Sequence, residues 1–407
     1  MSVFLQLAFL IAIILLAAKA AGYLSVRLGQ PSVLGELLVG ILLGPSLLDL
    51  LHLPFITGHL GETIKELGEL GVLLLMFIAG LELHLNELTR NIKVSAFAGI
   101  MGVLAPVALG AGSGLLLGLD LEPALFLGLT LGATSVSISA QTLMELRVLR
   151  SRVGLGLLGA AVFDDVMIIL LLSIFLAIVS GGTSAAGILW ILVKMILFLA
   201  TSTAFGLYVL PKLVRITRRL PISQGVLSLA MVVLLFYGVA AEVVGGMAAI
   251  TGSFLAGLMF ARCDEKERLE QGVSALAYGL FVPIFFVSIG LAVDIRTLKG
   301  EALLLAAVII VMAIVSKFLG SGLGARWAGF SWRESWQLGA GMVSRGEVGL
   351  IVANVGISAG LVTDSEFSAI VGMVLATTIV TPPMLRALFA EPKKTSGETL
   401  SAEGKEA

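Results

Sequence analysis

Residues 154–179 read GLGLLGAAVFDDVMIILLLSIFLAIV, an apolar run long enough to cross a bilayer that places Asp164 and Asp165 at its middle. Charge in hydrocarbon is costly and marks an ion or proton pathway. Neighbouring side chains on a helix diverge by about 100°, so the two carboxylates cannot share one environment. One can meet a partner while the other faces a cavity.

The surrounding chain has the same character. It is 407 residues long, 58% hydrophobic and 13% charged, with 48 glycines. Soluble domains carry about 25% charged residues, so this is an all-α, polytopic membrane protein with the lipid bilayer as its solvent. A net charge of −1 argues against nucleic acid as a partner. Cys263 is the one cysteine, which excludes an intramolecular disulfide, and with three histidines the chain has no His/Cys cluster for a transition metal. No cofactor and no enzymatic constellation is implied. The first apolar segment lacks a basic leader and reads as a retained helix.

Apolar stretches centred near residues 15, 41, 75, 105, 132, 167, 196, 233, 253, 284, 312, 348 and 376 predict 13 transmembrane helices. They occupy residues 1–390, and 391–407 form a short polar tail. Of the 26 Lys and Arg residues, 19 fall in loops after odd-numbered spans or in the tail, and only Lys65, Arg296 and Lys299 fall on the other side. This bias predicts a cytoplasmic C-terminus and an outside N-terminus. Lys19, Lys194, Lys317 and Arg345 remain within spans.

The halves repeat. GELLVG (35–40) recurs as GSFLAG (252–257), Gly80-Leu81 as Gly290-Leu291, and Gly110, Gly112 and Gly114 as Gly320, Gly322 and Gly324. Spans one to six thus match spans eight to thirteen, with span seven as connector. An odd separation gives the copies opposite orientation, an inverted repeat typical of secondary transporters with a midplane site. The repeat also isolates the chemistry. Asp164-Asp165 align with Thr377-Thr378, and Lys317 aligns with Val107. Each half carries one sign of charge where the other is neutral.

Span five reads LGLTLGATSVSISAQTL, and its hydroxyls, Thr134 and Ser135 among them, either back-bond within a helix or serve a break, where they replace lost backbone partners or ligate a cation. Its repeat mate places Arg345, Gly346 and Glu347 at the same depth. These charges either line an unwound segment or pair with each other and snorkel to the surface. Buried alone, an Asp and a Lys are each driven neutral; together they can stay charged. The expected arrangement is Asp164 paired with Lys317 and Asp165 facing a cavity, where it holds a proton or a desolvated cation in turn. Candidate Na⁺ ligands are Asp165, Asp164 and Thr134. Glu36 and Glu82 read as packing residues near span ends.

The chain resembles the monovalent cation:proton antiporter superfamily, in particular its second, NapA-like and Kef-like branch. The stretches QPSVLGELLVGILLGPSLL, LGVLLLMFIAGLEL, GAAVFDDV, FVPIFFVSIGL and SRGEVGLI carry the resemblance. It implies an inverted-repeat antiporter fold with two crossing discontinuous helices, broken near Thr134-Ser135 and Arg345-Glu347. Spans one to three and eight to ten would be the dimerisation scaffold, span seven a linker, and spans four to six and eleven to thirteen the ion-carrying core. By the same resemblance the protein is a homodimer in a bacterial inner membrane, exchanging Na⁺ (or Li⁺) for H⁺ electrogenically by an elevator motion. Asp165 is then the carrier, and Asp164 pairs with Lys317. Kef-type potassium systems usually replace the first aspartate and add a cytosolic domain, so Na⁺ is favoured, with K⁺/H⁺ exchange the nearest alternative. A gated cation channel and an organic-anion/Na⁺ symporter are the other classes to test.

Overall fold

Helices stop where glycine and proline punctuate the apolar runs. The computed structural model describes residues 2–56, 59–81, 91–180, 185–291, 296, 301–346, 348, 349, 352, 353, 356 and 360–390. Glu82, Glu347 and the 391–407 tail lie outside the described residues. Helix α1 (Val3–Arg27) ends before Gly29, which takes left-handed backbone at φ +73°, and Pro31 then opens α2 (Ser32–Leu43). There follow α3 (Leu60–Leu81), α4 (Ile92–Leu116), α5 (Leu121–Gly132), α6 (Val136–Glu145), α7 (Arg152–Ser180), α8 (Ala185–Tyr208) and α9 (Leu210–Arg219). The second half holds α10 (Gly225–Ala240), α11 (Ala249–Phe260), α12 (Lys266–Leu276), α13 (Val282–Leu291), α14 (Glu301–Trp327), α15 (Trp332–Gly341) and α16 (Asp364–Phe389). Capping boxes start α15, at Ser331 with Glu334, and α16, at Thr363 with Glu366. No strand occurs among the described residues.

Nine helical stretches among the described residues are long and apolar enough to cross a membrane. The other four positions expected from hydropathy differ for physical reasons. Helices α2 and α11 are apolar but have 12 residues each, a length of about 18 Å against about 30 Å of hydrocarbon. Helix α3 carries Glu62, Lys65, Glu66 and Glu69 in its first half, and α15 stops at a break after 10 residues.

The contacts repeat as the sequence does. Helix α1 packs on α2 as α10 packs on α11, and α2 on α13 as α11 on α3. Likewise α4 packs on α5 and α7 as α14 packs on α15 and α16, while α4 and α14 lie against each other. One group therefore comprises α1–α3 with α10–α13, the other α4–α7 with α14–α16; α8 touches both, through α11 and α7.

The matched glycines sit at the duplicated crossings. A methyl group on Gly80 would lie 2.1 Å from the Phe254 carbonyl oxygen, and one on Gly257 would lie 2.0 Å from that of Phe77. In the mirrored pair, a methyl group on Gly40 would lie 2.3 Å from the Val287 carbonyl oxygen and one on Gly290 would lie 2.4 Å from the Ile41 nitrogen. Side chains cannot fit there, so backbone presses on backbone. The Gly112 position is different: a methyl group there would meet nothing within 4 Å beyond its own helix backbone, and its alignment with Gly322 reflects no shared contact.

Candidate functional site

Asp164 and Asp165 lie near the middle of α7 and point to different surroundings. Asp164 is 1% exposed and pairs through Oδ1 with Lys317 of α14, itself 0% exposed. The Lys317 ammonium also donates to the Gly132 carbonyl at 2.8 Å, the last residue of α5. Thr134 stands close enough to act on the Asp164 carboxylate. Even so, neither Thr134 Oγ1 nor Asp164 Oδ2 completes a hydrogen bond of ordinary geometry, and both are buried. Asp165 is 8% exposed and lines a narrow pocket with Met76 of α3, Val136 of α6, and Ile250, Thr251 and Phe254 of α11. This pocket lies between the two helix groups.

Between α5 and α6, residues 133–135 leave helical geometry, and residues 343–346 do the same beyond α15. The two breaks meet. The Ser135 N–H donates to the Ser344 carbonyl at 2.9 Å, and the Ser344 hydroxyl returns a bond to the Ser135 carbonyl at 2.5 Å. Ser139 donates to the Gly341 carbonyl at 2.5 Å, and the hydroxyls of Ser135 and Ser137 lie 2.9 Å apart. The hydroxyl cluster of span five therefore serves the crossing.

Interrupting a helix strands its last carbonyls, which carry partial negative charge. Arg345 answers this directly. It is 0% exposed, and its guanidinium donates to Leu131 at 2.6 Å and Ala313 at 3.3 Å, and to Val343 at 2.5 Å and Met342 at 3.3 Å. One cation thus caps the carboxyl ends of both half-helices, and Lys317 adds a second cation to α5. The snorkelling alternative for Arg345 is overturned, because its charge is spent on backbone in the interior. The amino end of α6, where partial positive charge resides, opens at Val136 beside Asp165.

The repeat mates of the aspartates have structural duties. Thr377 donates back to Met373 at 2.9 Å, and Thr378 donates to the Arg345 carbonyl at 2.5 Å. Elsewhere, Glu145 at the end of α6 accepts from the Ser32 N–H at 2.6 Å and from Gln141 at 2.9 Å, linking the groups at the start of α2. Glu36 is buried one turn further along α2, and Lys19 donates to the Tyr278 carbonyl at 2.8 Å.

One residue absent from the sequence reading belongs to this site. Thr251 donates its hydroxyl to Asp165 Oδ2 at 3.0 Å. The signal was available in the same repeat that isolates Asp164 and Lys317: GSFLAG aligned on GELLVG sets Thr251 opposite the apolar Leu34.

Comparison with known proteins gives a consistent picture. The family model described as sodium/hydrogen exchanger, transmembrane, matches residues 10–391. The chain is 41% identical over 386 residues to the Na(+)/H(+)-K(+) antiporter GerN of Bacillus cereus, covering 95% of this chain and 97% of the relative. It is 33% identical over 378 residues to a Na(+)/H(+) antiporter of Enterococcus hirae, covering 93% and 96%. Among solved structures it is similar to the sodium proton antiporter MjNhaP1 of Methanocaldococcus jannaschii. That likeness has a TM-score of 0.66 at 17% identity and covers 95% of this chain and 96% of that one, and is a likeness of fold.

Proposed function

Because the chain belongs to the sodium/hydrogen exchanger family, we propose that it is a secondary antiporter that exchanges Na⁺ for H⁺ at Asp165. The observation that carries this reading is the division of labour between adjacent carboxylates. Asp164 is neutralised by Lys317 in the interior, while Asp165 lines a pocket between the two helix groups. Empty and ionised, Asp165 carries a negative charge whose passage along Ile250 and Phe254 is costly. Protonated, or paired with a desolvated Na⁺, it is neutral. Only the loaded site crosses, and one carboxylate cannot hold both substrates, so the two ions exchange.

In this scheme α4–α7 and α14–α16 form the ion-carrying body. It slides in an elevator motion against α1–α3 and α10–α13, with α8 as the link. Thirteen crossings give the repeats opposite orientation, the Lys/Arg bias of the loops favours a cytoplasmic C-terminus in a bacterial cell, and a homodimer forms through the stationary group. Thr134 and Asp164 Oδ2 are further candidate ligands, supported by their buried, unsatisfied oxygens. The Asp164–Lys317 pair offers another protonation step, which makes exchange electrogenic. A second reading, transport of K⁺ as well, is favoured by the similarity to GerN, a Na(+)/H(+)-K(+) antiporter.

The test is reconstitution in proteoliposomes with a panel of Li⁺, Na⁺, K⁺ and Rb⁺, with and without clamped voltage. Cation-driven proton movement is expected and should vanish in Asp165→Asn. Exchange by that variant at the rate of the unaltered protein refutes the assignment. Currents far above transporter turnover would decide for a channel, and solute uptake with no proton movement for a symporter.

A further inference from the structure

We infer that Thr251 is a ligand of the transported cation, contributed by the stationary helix group to the site built on Asp165; this rests on the exchange reading above. Thr251 is 5% exposed in the first turn of α11, and its hydroxyl reaches Asp165 Oδ2 at 3.0 Å across the pocket between the two helix groups. Its own backbone needs no help, since the Thr251 N–H already donates to the Ala248 carbonyl at 3.0 Å.

A hydroxyl carries one donor and two acceptor lone pairs. Facing an ionised, cation-free Asp165, Thr251 donates. When a cation neutralises the carboxylate, the hydroxyl turns and presents oxygen to the ion. The other pocket walls named here, Met76, Val136, Ile250 and Phe254, bring side chains with no oxygen. A small monovalent ion that sheds its water needs several oxygens, so an extra one at this position raises affinity. Leu34, the counterpart of Thr251 in the other half, has no such group. The ligand is therefore one-sided, as the carboxylate is.

The position of Thr251 gives the proposal a signature. Asp165 belongs to the body that moves, and Thr251 to the one that stays. The bond between them exists in the state described here and is broken once the carboxylate has travelled. A ligand of this kind affects cation binding more from one face of the membrane than from the other, whereas a packing defect affects both.

The experiment compares Thr251→Val with Thr251→Ser in oriented proteoliposomes, with Na⁺ as the titrated ion from each face and thermal unfolding as the control. Loss of a hydrogen-bonding or ligating partner of a charged group is expected to raise the apparent KM for Na⁺ roughly tenfold in Thr251→Val. The rise should be larger on one face, kcat should change little, and Thr251→Ser should restore KM. An unchanged or lowered KM, an equal rise on both faces, or failure of the serine to restore KM overturns the inference. If the valine variant does not fold, Thr251→Ala takes its place in the same comparison. Asp165→Asn runs in parallel: exchange persisting there defeats the exchange reading itself, while its loss beside a normal Thr251→Val defeats only the proposal made here.

Discussion

Helices α7 and α16 occupy matching places in the two halves, yet one carries Asp164-Asp165 at its midpoint and the other Thr377-Thr378. In α7 both side chains leave the helix, one toward Lys317 and one toward the pocket. In α16 both turn to carbonyls, Thr377 within its own helix and Thr378 onto Arg345. Both helices reach the crossing, but only α7 presents carboxylates there, while the cations that answer them, Lys317 and Arg345, come from the other half. A symmetric frame thus encloses an asymmetric site.

This contrast can be broken most sharply by activity. Asp165→Asn should bring cation-dependent proton movement to background, while Thr378→Val, at the mirrored position, should leave exchange in place; loss of transport in both would erase the distinction between the halves. Stability probes the next layer. Removing one member of a buried pair leaves an uncompensated charge and typically costs about 3–5 kcal/mol. Asp164→Asn should therefore lower the unfolding temperature substantially, and adding Lys317→Met should recover most of the loss. Additive effects of the two changes would mean that the pair is not coupled.

A smaller effect is expected on the α16 side. Thr378→Val withdraws one donor from the Arg345 carbonyl and should cost about 1–3 kcal/mol, read as a modest fall in unfolding temperature. No fall would mean that the threonine is not holding the break. The smallest effect lies away from both helices. Burial first, then Asp264, push the Cys263 thiol up to about 11, against the opposing pull of Arg262. At neutral pH it should hold about a hundredfold less thiolate than an ordinary cysteine. Maleimide labelling should be slow at pH 7, accelerate toward pH 11, and leave exchange unchanged.

Charge in hydrocarbon has few explanations, which is why Asp164, Asp165 and Lys317 stood out from the sequence with their pairing. The repeat was legible because glycine patterns recur at a fixed offset, whereas the residues alone left both breaks open and the family resemblance located them near Thr134-Ser135 and Arg345-Glu347. The duty of Arg345 was not legible. Its partners are the carbonyls of Leu131, Ala313, Met342 and Val343, and every residue type has a carbonyl, so nothing in the letters distinguishes capping from snorkelling. Thr251 was missed because a lone hydroxyl in an apolar helix is ordinary until Asp165 is known to face it. The attachment of Glu145 to Ser32 joins positions 113 residues apart, and no local pattern announces it. Helices α2 and α11 escape a length criterion because hydropathy sees the apolar run and not where the backbone stops being helical.

The glycine crossings at 40 and 290 and at 80 and 257 have a mechanical consequence. Where main chains touch without intervening side chains, there is no rotamer to adjust and no soft layer to compress. Two such crossings, each with a pair of glycines, weld α2 to α13 and α3 to α11, and the packing of α3 on α13 joins them into a stiff plate. Under the proposed exchange scheme, strain raised at Asp165 is not absorbed by flexing that plate and falls on the boundary with the neighbouring helices.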